Sequence, residues 1–219
     1  MKKVLTIIAT AALMLVATNS FAQAQLGAGY LNSVRSIKAN ADASASTSAL
    51  NGFYAGVGYT LPIAGGLKVT PGIYYNVLMG SNASNVSYQD FSIFATKGNT
   101  QEHYLNVPVT FSIGTQISSD IKLFAYAGPT LSIGLISQTV SSSSALGGAV
   151  SFSPSTTDHY SDSNYGRFDV LVGGGLGVEF MKHLRFNVGY DLGLLNRYTG
   201  SGDTIMHRNQ LVAGVSYAF

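Results

Sequence analysis

Gln210-Leu211-Val212-Ala213-Gly214-Val215-Ser216-Tyr217-Ala218-Phe219 is the stretch whose reading decides the fold. Successive side chains of an extended strand point to opposite faces, so Leu211, Ala213, Val215, Tyr217 and Phe219 share one face and Gln210, Val212, Gly214, Ser216 and Ala218 the other. One face is apolar with two aromatics near its end, and the other is small or polar. That alternation predicts a strand with unlike environments on its two sides.

Seven further runs alternate in the same way. The first is short, with Leu26, Ala28 and Tyr30 against Gly27 and Gly29. The second sets Phe53, Ala55, Val57, Tyr59 and Leu61 against Tyr54, Gly56, Gly58 and Thr60, and the third sets Leu67 through Val77 against Lys68, Thr70, Gly72, Tyr74 and Asn76. The fourth places Leu105, Val107, Val109, Phe111 and Ile113 opposite Asn106, Pro108, Thr110 and Ser112, and the fifth places Leu123, Ala125, Ala127, Pro129, Leu131 and Ile133 opposite Lys122, Phe124, Tyr126, Gly128, Thr130 and Ser132. The sixth covers 167–180 and the seventh 184–194, with Phe168, Leu176, Phe180, Phe186, Val188 and Leu192 on their apolar parity. No apolar-parity position in any run is charged.

Periodicity alone is compatible with a soluble barrel holding an apolar ligand inside. Three observations favour the reverse arrangement, apolar side out. Each full run has about the 9 to 11 residues a tilted strand needs to cross hydrocarbon. The other face is rich in Gly, Ser, Thr, Asn and Tyr with embedded charges, and Tyr59, Phe168, Phe180 and Phe219 fall near strand ends, where an interfacial girdle sits. The connections also alternate, short at 62–66, 114–120 and 181–183, long at 32–52, 79–103, 137–166 and 195–207. Short periplasmic turns and long extracellular loops give that pattern. The expected fold is all-β, an eight-stranded antiparallel transmembrane up-and-down β-barrel, with the long Ser/Ala/Asn-rich loops as mobile surface segments.

The beginning of the chain reads differently. Met1-Lys2-Lys3 is a basic n-region, 4–17 is an apolar run shorter than the ~20 residues of a spanning helix, and Ser20-Phe21-Ala22 or Ala22-Gln23-Ala24 offers a small-x-small cleavage site. Residues 1–24 are therefore expected to be a cleaved export signal, with cleavage after 22 or 24, and 25–219 the barrel domain. Removal of Lys2 and Lys3 leaves ten basic against ten acidic residues, which takes away the motive for a nucleic-acid partner. With no Cys, disulfides, thiolate metal sites and cysteine nucleophiles are excluded.

At the level of motifs, Tyr104-Leu105-Asn106-Val107-Pro108-Val109, Ala125-Tyr126-Ala127-Gly128-Pro129, the run from Phe168 to Gly177-Val178-Glu179-Phe180, and Leu184-Arg185-Phe186 through Gly193-Leu194-Leu195 resemble the porin-like, PorT-type outer-membrane β-barrel family. Asn106 stands where that family often has an acidic residue. The resemblance implies a barrel in the cell outer membrane of a Gram-negative-type envelope, with outer-membrane lipids around it and a final strand, marked by Tyr217 and Phe219, that the outer-membrane assembly machinery reads. It carries no single activity.

Charges of the inward parity are Lys68, Lys122, Arg167, Arg185 and Arg208 against Asp169, Glu179 and Asp191. Burying them costs several kcal/mol each unless they are paired, so a lumen network is expected, with Glu179 facing Arg185 across a tight 181–183 turn. An eight-stranded bore is just wide enough for side chains to fill. A filled lumen implies a monomeric, non-enzymatic protein with an envelope-structural or surface-interaction role. The alternatives are a small porin-like channel lined by those charges and an outer-leaflet lipid-modifying enzyme. The enzyme reading rests on His159 with Asp158, Ser161 and Asp162, where a carboxylate-oriented base could activate a hydroxyl; His103 and His207 lie at similar height. No catalytic, cofactor or metal site is assigned, because no spacing fixes one, and Gly173-Gly174-Gly175 lies inside a strand and opens no helix. Pro71, Pro108 and Pro129 are expected at bulges or strand ends, since proline cannot donate to the ladder.

Overall fold

The computed structural model describes residues 23–39, 44–88, 91–162 and 164–219; the expected export signal falls mainly on 1–22, outside them. The strands are β1 (Gln23–Lys38), β2 (Ser46–Pro62), β3 (Lys68–Tyr88), β4 (Phe91–Gln116), β5 (Ile121–Ala145), two short pieces β6 (Val150–Ser151) and β7 (Ser155–Asp158), then β8 (Phe168–Phe180), β9 (Leu184–Gly193) and β10 (Ile205–Ala218). Every long strand pairs antiparallel with its sequence neighbour, β5 pairs β8, and β1 pairs β10 to close a ring of eight. A closed ring leaves no backbone edge facing hydrocarbon, which is the condition for strands to span it.

The apolar parity faces outward, although Tyr59, expected in the girdle, is buried. Phe53 is 66 %, Leu176 70 % and Phe219 69 % exposed, while Thr70, Asn76, Asn106, Ser112 and Ser132 on the other parity are buried. A soluble barrel would show the opposite. The outward face turns polar at Asn32, Asn51, Gln101 and His103, beside Tyr30 and Tyr75. There Asn51 Oδ1 accepts from Tyr30 O–H at 2.6 Å and Asn32 Nδ2 at 2.7 Å, and Tyr75 O–H meets His103 Nδ1 at 2.5 Å. This ring of aromatics and amides marks the upper membrane boundary.

Strands continue into three of the four expected long loops. β1 runs to Lys38, not Tyr30, and pairs β10 at every position from Gln25↔Ala218 to Lys38↔Ile205, so the closing strand is as long as its partner. β3 and β4 pair up to Tyr88↔Phe91, and β4 and β5 up to Phe94↔Ala145. Above the boundary both faces meet water, so the apolar alternation stops while the backbone ladder does not. Hydrophobic parity therefore reports the lipid-facing part of a strand, and not the strand. Residues 194–204 do form an irregular segment. It docks on 164–166 through Gly166 N–H to Arg197 C=O at 2.7 Å and Thr199 N–H to Asn164 C=O at 2.9 Å.

The prolines also depart from expectation, since none produces a register shift. The β5–β8 ladder is regular through Pro129↔Val172. What changes is the other side of each strand. The β2–β3 pairing skips from Gly58↔Gly72 to Leu61↔Val69, β3–β4 from Pro71↔Val109 to Tyr74↔Asn106, and β4–β5 from Pro108↔Thr130 to Phe111↔Ala127, all in unchanged register. In an antiparallel strand each residue directs its N–H to one neighbour only. Each proline directs its missing donor to the preceding strand and leaves the following ladder intact.

Glycines make room for aromatic rings in the lumen, as at Gly214 and Gly189. A Cβ on Gly214 would collide with the Tyr54 hydroxyl and one on Gly189 with that of Tyr126. These glycines let the tyrosine rings lie against the wall, so the bore is lined by aromatics and not filled solid.

Candidate functional site

The polar side chains of the bore fall into two layers with a cavity between them. In the lower layer Glu179 and Arg185 are opposite each other on β8 and β9, with Nε–Oε2 at 3.5 Å. Arg185 also lies over the Phe124 ring at 4.3 Å and donates weakly to Gln25 Oε1 at 3.4 Å. Lys122 stands opposite Glu179 on β5, and Lys68 opposite Ser112 on β4, both half-buried. Above them, Asp191 accepts from Gln210 Nε2 at 2.8 Å. Arg208 Nε approaches Asp169 Oδ2 at 3.9 Å, its Nη2 donates to Ser132 Oγ at 2.7 Å, and its guanidinium lies 4.0 Å over the Tyr104 ring.

Arg167 departs from the inward grouping. β8 begins one residue after it, and the exposed Arg167 donates to the carbonyls of Gly134 and Leu135 at 3.3 and 3.2 Å and covers the Tyr160 ring at 4.3 Å. It braces the extracellular rim from outside the bore.

The upper layer contains more than the expected residues. Glu102, 1 % exposed, pairs with Arg35 and accepts from Tyr104 O–H at 2.6 Å and Ser137 Oγ at 2.9 Å. Arg197, also 1 % exposed, donates through Nη1 to the hydroxyls of Tyr165 at 2.7 Å and Tyr104 at 3.1 Å, and through Nε and Nη2 to the Gly166 carbonyl at 3.0 and 2.6 Å. Tyr160 stacks on Tyr165 at 5.5 Å, and Arg197 lies over that same ring at 4.1 Å. Charge-assisted bonds to a buried carboxylate are among the stronger ones available to a protein. These side chains gather at the extracellular end of the bore.

Arg35 and Glu102 escape a reading that stops where alternation stops. Both follow from carrying the inward parity onward, from Gly27 and Gly29 to Arg35 and from Asn106 to Glu102. Ser137 does not, because a bulge shifts the pairing from Tyr104↔Gly134 to His103↔Ile136 and turns the opposite parity of β5 inward. Arg197 lies in the irregular segment, where no periodicity applies.

The outer-rim His/Asp/Ser grouping does not assemble as a catalytic set. His159, in a single helical turn (His159–Asp162), shares its Nε2 hydrogen bond with Thr139 Oγ1 at 2.8 Å, while Ser161 Oγ meets the Asp158 backbone carbonyl at 3.4 Å. Burial, and after it the nearby Arg35 charge, holds the imidazole below its ordinary range despite Glu102, Asp158 and Asp162. Among the described residues no cluster of three or more His, Asp or Glu could hold a metal ion. His103 is engaged at the lipid boundary by Tyr75 and Gln101, and His207 lies in β10.

At the periplasmic rim Tyr217 and Phe219 both face outward, their rings edge to face at 5.2 Å, with His183 stacked on Tyr217 at 5.6 Å. Phe219 N–H donates to the Ala24 carbonyl at 2.9 Å, which ties the last residue to β1.

Residues 19–198 match the model of the outer membrane protein β-barrel domain family. The chain belongs to this family. Its place is the cell outer membrane. A comparison with curated proteins finds no match. Similar solved structures include the attachment invasion locus protein Ail of Yersinia pestis in complex with the heparin analogue sucrose octasulfate, at 12 % identity and a TM-score of 0.44, covering 91 % of this chain and 99 % of that one. Neisserial surface protein A is similar at 14 % identity, a TM-score of 0.40 and coverages of 90 % and 97 %. OprG from Pseudomonas aeruginosa is similar at 11 %, 0.35 and coverages of 91 % and 96 %.

Proposed function

We propose that this barrel is a non-enzymatic, non-conducting surface-interaction protein that works through its extracellular sheet. The observation that carries the reading is the continuation of β3, β4 and β5 beyond the membrane boundary. From Met79↔Gln101 to Tyr88↔Phe91 the β3–β4 hairpin adds about 30 Å of paired strand, at ~3.3 Å per residue. β4 pairs β5 alongside it, and β6 and β7 pair β5 in turn. Such a projection is a paired sheet and not a floppy loop, so it presents a surface at low ordering cost. Its upper part exposes Val86, Ile93, Phe94, Val150 and Phe152, with the Phe94 and Phe152 rings 6.1 Å apart. Apolar side chains gathered on a water-facing sheet mark a contact surface.

The buried Glu102–Arg35–Arg197–Tyr104 layer argues against an ion path, because it seals the bore with mutually bonded side chains. Surrounding lipids, a monomeric state and recognition of the Tyr217–Phe219 strand by the assembly machinery complete the proposal. Replacing 81–97 by a two-residue turn is expected to leave a folded, heat-modifiable barrel and to abolish surface binding or cell–cell adhesion by expressing cells. Unchanged adhesion, or stable openings of the wild-type protein in planar bilayers, would count against it.

A further inference from the structure

Between the two charge layers lies a cavity of about 170 Å3, lined on one wall by Asn76 and Asn106 and on the other by Asp191 and Gln210, with the Tyr54, Tyr74 and Tyr126 rings around it. We propose that this cavity is a binding site for a small neutral polyol of monosaccharide size, reached from the periplasmic end. The proposal concerns the bore and stands apart from the surface-interaction reading, which concerns the arm.

The first ground is unspent hydrogen bonding. Asn76, Asn106 and Gln210 are 3 %, 5 % and 3 % exposed, and the side-chain oxygen of each has no partner among the described residues. A buried amide oxygen without a partner is unfavourable, and all three belong to residues lining the same space. Something with several donors completes them. Thr110, Thr130 and the free face of Asp191 add further polar groups to the lining.

The second ground is the kind of guest the walls admit. Across the described bore six cationic side chains (Arg35, Lys68, Lys122, Arg185, Arg197, Arg208) outnumber four anionic ones (Glu102, Asp169, Glu179, Asp191), which disfavours an organic cation. Of these charges only Arg185 and Asp191 line the cavity, so a guest of either sign meets one charge like its own. An apolar solute would leave the three amides unsatisfied. A polyol supplies donors and acceptors to Asn, Gln and Asp, and its C–H faces lie on tyrosine rings, which the glycines at 189 and 214 hold flat against the wall. The volume has room for about five or six waters at ~30 Å3 each, or for one six-carbon sugar in their place.

The third ground is access. Above the cavity Tyr104, Leu78 and Leu171 are fully buried and Arg35 is the half-buried charge, whereas below it Gln25 and Glu179 are buried and both Lys68 and Lys122 are half-buried. Water therefore enters from the periplasmic side.

The test is saturation-transfer NMR with D-glucose on the full barrel folded in a sugar-free detergent, at about 1–100 mM, the range in which contacts that merely exchange with water yield affinity. Saturation transfer from protein to glucose protons is expected, and Asn106→Leu, which puts a branched apolar group into the cavity, is expected to weaken binding about tenfold. Should Asn106→Leu fail to migrate as a folded barrel on an unheated gel, Thr130→Val serves instead and is expected to weaken binding in the same direction. No transfer to folded wild type, or equal binding by the folded variant, overturns the site and leaves the cavity to water.

Discussion

At the extracellular end of the bore Glu102, Arg197 and Arg208 are each 1 % exposed, and Arg35, paired to Glu102, keeps its side chain 17 % exposed; at the periplasmic end Arg185 is 9 % exposed, and Lys68 and Lys122 are half-buried. Both ends use arginine, a carboxylate and an aromatic ring, as in Arg208 over Tyr104 and Arg185 over Phe124. The difference lies in desolvation. An ion pair removed from water gains more from each hydrogen bond and loses more when one partner goes, whereas water moderates both at a wetter site. The upper layer is therefore read as a rigid closure and the lower one as a tolerant mouth.

The largest expected effect breaks the upper layer. Glu102→Ala removes the acceptor of Arg35, Tyr104 and Ser137 together and leaves Arg35, Arg197 and Arg208 facing Asp169 alone. Losing one partner of a buried pair costs about 3–5 kcal/mol. Thermal unfolding followed by the gel shift of the folded barrel should drop accordingly; a variant as heat-resistant as wild type would show that the layer is not a closure. Glu179→Ala in the lower layer is expected to cost only about 1–2 kcal/mol, because water reaches Arg185 and Lys122 once the carboxylate is gone. A loss as large as that of Glu102→Ala would erase the contrast between the two ends.

The same contrast governs what could be read from the amino-acid order. Within the hydrocarbon, lipid on one side and a polar bore on the other enforce a strict period of two, so residues such as Phe168, Leu176, Val188 and Leu211 show the strands and their outward face directly. Glu179 and Arg185 share the inward parity on either side of a short turn, and the structure brings them together. Above the boundary the lipid no longer sorts the two faces. β1 from Asn32 to Lys38 and the β3–β4 hairpin are held by backbone pairing, which leaves little mark on residue choice, and they read as loops. Arg35 and Glu102 become visible only when the parity is carried past its apolar support. Ser137 is hidden by a bulge, and Arg197 by the absence of any repeat.

A smaller effect is expected at the periplasmic rim itself. Met181 and Lys182 both have positive φ, 50° and 66°, in the turn joining β8 to β9. Such residues lack the freedom of glycine there, so Lys182→Gly should stabilise the barrel by about 0.5–1 kcal/mol in denaturant unfolding. A destabilised variant would mean that the lysine side chain holds the mouth in a way the half-open reading does not allow.

The smallest effect sharpens the upper end, where closure should depend on pH. His159 sits against the closure, sharing a hydrogen bond with Thr139, edge-on to Tyr165 at 6.4 Å, and faced by Arg35, Glu102, Asp158 and Asp162. Burial and Arg35 hold its folded-state pKa below the ordinary value of about 6.5. A depressed histidine favours the neutral form on folding, so its contribution is fully present above the unfolded value and is lost as the pH falls through the folded one. Because the ring is half-exposed the loss is local, a loosening of 150–166 from β5 with the barrel intact. Limited proteolysis on intact cells should show cleavage in 150–166 rising between pH 7.5 and pH 5, and His159→Gln should flatten that rise. Equal cleavage at both pH values in wild type would leave the imidazole as a packing group alone. Barrel stability measured over the same interval is expected to change far less than cleavage does, because the strands beneath the closure do not depend on His159 for their pairing.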